Sequence, residues 1–330
     1  MKSKSFLHLA FAACIGMIIY PVTLLAHDGP HSQSVSIPHL MVEDLDASLA
    51  FYIDVLGFEL TRPLGEPMPN QMAGDGEGRM RVMVMQEPQT GIQIELVEWS
   101  NIPMRAQQLQ IQDAGAFMIA LQVSDLDSML DGARELGLEI QTEDGDYIVR
   151  SGGDKYVMIR DADGYTVELV ENTESRDQAG ISSVSYYLTV EDLDETVEFY
   201  NQAFGMGMEA PGSPNPTPEF IISLFDNDQL SNMRIARGTF PNTDFVLSFQ
   251  EFSGSGLTRR KADGGVEDPG EALLLISVDN FTLALANMRR YGGIVGLGAT
   301  SEAVPEGVNY SWGHDPNGML LRISPPRNAE

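Results

Sequence analysis

The feature that most constrains this chain is one short run of residue types written four times. It reads VEDLDASLAFYIDVLGF from Val42, VSDLDSMLDGARELGL from Val123, VEDLDETVEFYNQAFGM from Val190 and VDNFTLALANMRRYGG from Val278. Each copy is a β-type run ending in Val, an acidic or amide turn, an apolar helix stripe, and Gly after a bulky residue. Such self-similarity marks units that cannot bury a face alone and must pack on one another. The copies alternate, because turn residue to Gly is 13, 12, 13 and 12 positions for Asp44 to Gly57, Asp125 to Gly137, Asp192 to Gly205 and Asn280 to Gly292. Copies one and three share Phe51-Tyr52 and Phe199-Tyr200, while copies two and four are followed by the turns Asp161-Ala162-Asp163-Gly164 and Asp315-Pro316-Asn317-Gly318. A duplicated unit, itself duplicated, gives two domains of about 140 residues, a comfortable domain size.

Within each unit the periodicity predicts a strand, a helix, then three strands. In the first half the predicted elements are Val35–Val42, helix Leu45–Leu56, Glu59–Arg62, Arg79–Gln86 and Ile92–Glu98, then Ala116–Val123, helix Leu126–Leu136, Glu139–Gln141, Tyr156–Arg160 and Thr166–Glu171. The first helix rests on apolar positions 45, 49, 52 and 56, one stripe on a 3.6-residue period, with Asp44 as its cap and Gly57 as its left-handed stop. The second half repeats this with Ser182–Val190, helix Leu193–Phe204, Gly207–Ala210, Phe220–Phe225, Met233–Arg237 or Phe245–Phe252, Glu271–Val278, helix Phe281–Tyr291, and strands to Ile323. Pro/Gly-rich stretches at 62–78 and 209–218 fall at the same place in both halves, as site-edge lids or ordinary variable loops.

Lys2 and Lys4 precede an acid-free apolar stretch to Ala26, which describes a secretory signal peptide cut after Ala26, with an uncleaved anchor helix as the rival. The expected organisation is leader 1–26, polar tail 27–34, first domain 35–172, linker 173–180 and second domain 181–326, in a chain exported to the periplasm or secreted. Cys14 is the only cysteine, so the cut chain has no thiol or disulfide chemistry; a lipoprotein role for it stays the minor option. The formal charge of −28 disfavours nucleic acid and anionic membranes as partners and fits a soluble surface. A monomer or homodimer is expected.

The stretches at Val42 and Val190, with DADGYTVELVE and DPNGMLLRIS closing each half, resemble the vicinal oxygen chelate superfamily of glyoxalases, bleomycin-resistance proteins and extradiol dioxygenases. The resemblance covers nearly all of Val35 to Pro325. It implies an α+β fold of four βαβββ modules paired into two domains, each an open cupped sheet around a metal. Family ligands sit five residues before the Val ending a module's first strand, and at a Glu on its last strand. These positions are Ile37, Glu95, Met118 and Glu168 in the first half, and Ser185, Ser248, Leu273 and Arg322 in the second.

A divalent Fe, Mn, Ni or Zn ion needs three or four His or carboxylate donors. The second half has none at these positions, so no cofactor is expected there. In the first, His39 lies two residues beyond Ile37 on the same strand face, so a displaced His39/Glu95/Glu168 triad is one possibility. Without metal, Glu95 and Glu168 are expected to converge as an acid and base for lyase or isomerase chemistry on a small organic molecule, or to be held by Arg81 or Arg160. His39, Met118, Trp99, Arg322, Ser185 and Ser248 complete the candidate substrate contacts, Arg322 as a carboxylate clamp or the partner of an acid. A non-catalytic sequestering module is the alternative, and a metal-dependent glyoxalase- or dioxygenase-type enzyme the third. Fold resemblance does not choose among them.

Overall fold

The computed structural model describes residues 29–69, 78–172, 175, 180–296 and 310–326. The proposed leader and most of the linker lie outside these residues.

The helices form where the stripes place them. Leu193–Phe204 is capped by Asp192, whose side chain accepts from the Glu195 amide at 3.0 Å, and stops at Gly205 with φ of 71°. Its buried side Leu193, Val197, Tyr200 and Phe204 turns toward the sheet, each large side chain contributing about 1.5–3 kcal/mol by leaving water. The first copy begins as an α-helix at Leu45–Leu49 and widens to a π-helix over Ala50–Val55, where the Leu56 amide bonds the Phe51 carbonyl five residues back. Three helix starts have a further clamp. Glu98, Glu171 and Glu251, at or near the end of each module's last long strand, accept from the amides of Leu45, Leu126 and Leu193.

Strands assemble into two mixed sheets, and the pairing of modules differs from the expected one. The first sheet runs Ile294–Val295, Ser311–His314, Leu320–Ser324, Ala272–Val278, His39–Val42, Gln93–Ser100, Arg79–Gln86, Glu59–Leu60, which unites modules one and four. The second runs Asn215–Pro216, Asn232–Thr239, Val246–Ser253, Ile181–Thr189, Phe117–Val123, Thr166–Glu171, Lys155–Arg160, Glu139–Ile140, uniting modules two and three. The two modules of each sequence half therefore do not share a cup. They meet instead back to back, through their helices and closing turns. Tyr52 donates to Asp161 at 2.9 Å, Ser48 to Asp163 at 2.6 Å, and the Glu43 amide to Asp163 at 2.7 Å. The second half repeats the arrangement, with Tyr200 donating to Asp315 at 3.1 Å and the Glu191 amide to Asn317 at 2.9 Å. The Phe-Tyr pair and the Asp turn, alternating in the sequence, are the two halves of this one contact.

Two further expectations are corrected. The run predicted as strand Val35–Val42 is broken between Ser32–Val35 and His39–Val42, because Pro38 has no amide for a ladder, and Ile37 falls in the break. Phe220–Phe225 is not a strand but sits largely in the helix Glu219–Leu224, which begins after Pro218 and turns Ile221 and Leu224 into an apolar cluster. Met233–Arg237 and Phe245–Phe252 are both strand regions, within Asn232–Thr239 and, from Val246, Val246–Ser253. Among the described residues no helix is long and apolar enough to cross a membrane.

Candidate functional site

Alternation along the strands of the first sheet sends Leu40, Val42, Leu96, Leu274, Ile276, Leu321 and Ile323 to the helix-covered core. The opposite, concave face carries Met41, Val97, Trp99, Leu273 and Leu320, with Met80, Val82, Leu275 and Trp312 packed around them. His39, Glu95 and Arg322 have the same parity on their strands and belong to this face. Register fixes their order: His39 pairs with Glu95 on one side and Leu273 on the other, Leu273 pairs with Leu320, and one pleat along Leu275 pairs with Arg322.

The His39 Nδ1 contacts a Glu95 carboxylate oxygen, while its Nε2 is buried with no hydrogen-bond partner among the described residues. The indole Nε1 of Trp99 is buried and equally unmatched. A buried polar atom left unmade costs about 1–3 kcal/mol, so two on one concave face mark a place built to meet something polar. Across the cup the Arg322 guanidinium stands 5.5 Å from the Tyr310 ring centre and 5.9 Å from that of Trp312. Beside the face, the 62–66 loop and Met68 bound a cleft that reaches Met80 and Val82. Of the Pro/Gly-rich stretch of the first half, residues 62–66 and Met68 border this cleft, and 70–77 lie outside the described residues.

The cup of the second sheet is filled. Met118, Ala120, Tyr156, Met158, Val170, Tyr187 and Phe252 face Ile221 and Leu224 of the short helix, with Phe220 6.3 Å from the Tyr156 ring and Arg150 4.1 Å over Phe220. Glu168 lies 5% exposed opposite Ala120 and Met158, and burial pushes its carboxyl up to about 8. Ser248 is also buried; Ser185 is half-buried opposite Ala120.

The candidate residues therefore separate. His39, Glu95, Trp99 and Arg322 share the first cup; Met118, Glu168, Ser185 and Ser248 share the second. Glu95 and Glu168 do not converge, because module one closes its sheet with module four. The His39/Glu95/Glu168 metal triad is excluded for the same reason. Neither glutamate is held by the expected arginine, since Arg81 binds Glu98 at 2.6 Å and Arg160 binds Glu139 at 3.0 Å. For the family metal the residues do not fit: the first cup offers His39 and Glu95 with Leu273 and the cationic Arg322 at the other two positions, and among the described residues no three His, Cys, Asp or Glu side chains group around a point. The sequence also missed the buried carboxyls behind the sheets. Burial raises Asp161 to about 7 and Asp163 to about 6, with repulsion from Asp163 as the second cause for Asp161. Their signal was the repeated Asp turn.

Known proteins agree with the fold. Residues 34–169 match the Glyoxalase/Bleomycin resistance protein/Dioxygenase superfamily. A lactoylglutathione lyase of Arabidopsis thaliana is 26% identical over 168 residues, 50% of this chain and 52% of that protein. The chain thus spans about half the length of this curated relative. A probable lactoylglutathione lyase of Synechocystis is 29% identical over 139 residues, 42% of this chain and 95% of the relative. The crystal structure of glyoxalase I from Zea mays superposes with a TM-score of 0.53 at 17% identity, covering 90% of this chain and 92% of that one, a likeness of fold. Residues 34–169 thus match the Glyoxalase/Bleomycin resistance protein/Dioxygenase superfamily, and the paired sheets built from four repeated modules share the fold of glyoxalase I.

Proposed function

We propose that the chain is an exported protein that binds a small organic molecule in the cup shared by modules one and four. In this proposal the His39–Glu95 pair moves a proton on the ligand, as in metal-independent lyase or isomerase chemistry. The observation that carries it is the His39 ring: Nδ1 is engaged by Glu95, and Nε2 is buried in the concave face with no partner among the described residues. A carboxylate that fixes one ring nitrogen orients the other toward a substrate and stabilises the ring when it takes a proton. Trp99 offers an N–H donor on the same face, and Met41, Leu273 and Leu320 supply a dry floor. The lactoylglutathione lyase names of the relatives support a lyase or isomerase class for the reaction. The acid-free stretch ahead of His27 supports export.

A thermal-shift screen of small organic molecules on chelator-treated protein tests this. Hits should disappear with His39→Gln or Trp99→Phe and survive Met118→Ala or Ser185→Ala. For a hit with an acidic C–H, wild type should exchange that hydrogen for deuterium from solvent and Glu95→Gln should not. Hits lost only by the second-cup variants would refute the location. Exchange retained in both His39→Gln and Glu95→Gln would refute the chemistry.

A further inference from the structure

We infer that His314 is a second ligand-binding group of the first cup, and that its bare Nδ1 selects an apolar molecule carrying a hydroxyl group. This rests on the preceding assignment of the cup and adds a residue and a class of molecule to it. Cross-strand register sets Glu95, His39, Leu273, Leu320 and His314 in one row across the sheet. His314 stands two residues beyond Trp312 on its strand and therefore shares the concave face with it. Three strand spacings separate the two histidines, about 14 Å between backbones, and the floor between them is leucine.

Both rings are tied at one nitrogen and bare at the other. The His314 Nε2 lies 3.1 Å from the Gly264 carbonyl oxygen. A carbonyl only accepts, so Nε2 carries the hydrogen and, in the uncharged ring, Nδ1 presents a lone pair. That Nδ1 is buried with no hydrogen-bond partner among the described residues. The tether is itself held in place: the Gly264 amide donates to Glu271 at 2.9 Å, a Cβ at Gly264 would run into the Glu271 side chain, and Val266 packs on the concave cluster. His39 is the counterpart, since Glu95 engages its Nδ1 and leaves Nε2 as the lone pair. The row thus ends in a bare acceptor at each histidine. An ether brings only lone pairs to such an atom, whereas a hydroxyl brings the hydrogen it lacks. The apolar floor favours this neutral donor over an ammonium, which would lose its hydration there.

The chain has five histidines, so their ring nitrogens can be followed one by one by nitrogen-15 NMR, with His39→Gln and His314→Gln assigning the two of interest. In the free full chain His314 should show the Nε2–H tautomer and His39 the Nδ1–H tautomer; the opposite tautomer at His314 overturns the proposal before any ligand is added. The protein is then titrated with cyclohexanol, methoxycyclohexane and cyclohexylamine, which share one apolar body and differ in the group offered to Nδ1. Cyclohexanol is expected to shift the His314 Nδ1 resonance saturably and to bind about tenfold more tightly than either other probe, the worth of one hydrogen bond to a buried acceptor. His314→Gln sets an amide N–H where Nε2 stood, keeping the tether to Gly264 while removing Nδ1, and should abolish that preference; far-ultraviolet circular dichroism establishes that it folds, and the wild-type titrations decide without it. Ether or amine binding as tightly as the alcohol, or a preference that survives His314→Gln, overturns the inference, while shifts at His39 keep the cup as the binding site. If no probe shifts either ring, both the inference and the location are overturned.

Discussion

Glu168→Gln should make this protein more stable in alkali and leave it nearly unchanged in acid, the reverse of what losing a surface carboxylate does. The residue is buried between Ala120 and Met158, which belong to the cluster that the helix Glu219–Leu224 covers, and burial lifts its carboxyl from 4.5 to about 8. A folded-state value above the unfolded one means that the folded chain binds the extra proton between those limits. Stability from this group is therefore present below about pH 4.5 and is lost as pH rises toward 8. At about 1.4 kcal/mol per pH unit the full window is worth about 5 kcal/mol, of which about 4 falls between pH 5 and pH 9. Relaxation of the cup around the charge reduces this, so a measured difference of about 2–4 kcal/mol is expected. Urea unfolding of wild type and variant at both pH values reads it directly. Wild type should lose more stability than Glu168→Gln across that interval. Equal losses, or a variant less stable in alkali, would refute the burial of this carboxyl.

Other consequences follow from the packing. Leu224→Ala opens the plug over Glu168 at a cost of about 2–5 kcal/mol, and the carboxyl, followed by NMR titration, should then move back toward the ordinary range. Tyr52→Phe removes the donor to buried Asp161 and should lower the unfolding free energy by about 1–3 kcal/mol, read by urea denaturation near neutral pH. Gly115 has φ of +90°, and a Cβ there would collide with Ala262 and lie 2.8 Å from the Asn317 carbonyl oxygen, so Gly115→Ala should cost about 2 kcal/mol or more in the same assay.

Local patterns carried much of this fold because they answer local questions. The apolar stripe at Leu193, Val197, Tyr200 and Phe204, the Asp192 cap and the Gly205 stop make a helix whatever surrounds it, and Leu193–Phe204 is found with those limits. The Phe220–Phe225 run lies in a short apolar segment, where helix and strand share a composition; only the cup it fills decides that Glu219–Leu224 is a helix. Module pairing was hidden for a different reason. Four similar units can close two sheets as neighbours or crosswise, and the choice depends on contacts such as Tyr52 with Asp161, which join residues 109 apart. That choice moved Glu168 away from Glu95 and brought Arg322 to the face with His39. The candidate residues were legible one by one from the repeat, and their grouping was not.

The central claim is that ligand binding belongs to the cup of modules one and four. The most direct test compares binding of one small-molecule hit to chelator-treated wild type, His39→Gln and Glu168→Gln by isothermal titration calorimetry. Binding that is lost in His39→Gln and retained in Glu168→Gln is the predicted result. Binding retained in His39→Gln and lost in a folded Glu168→Gln would contradict the account.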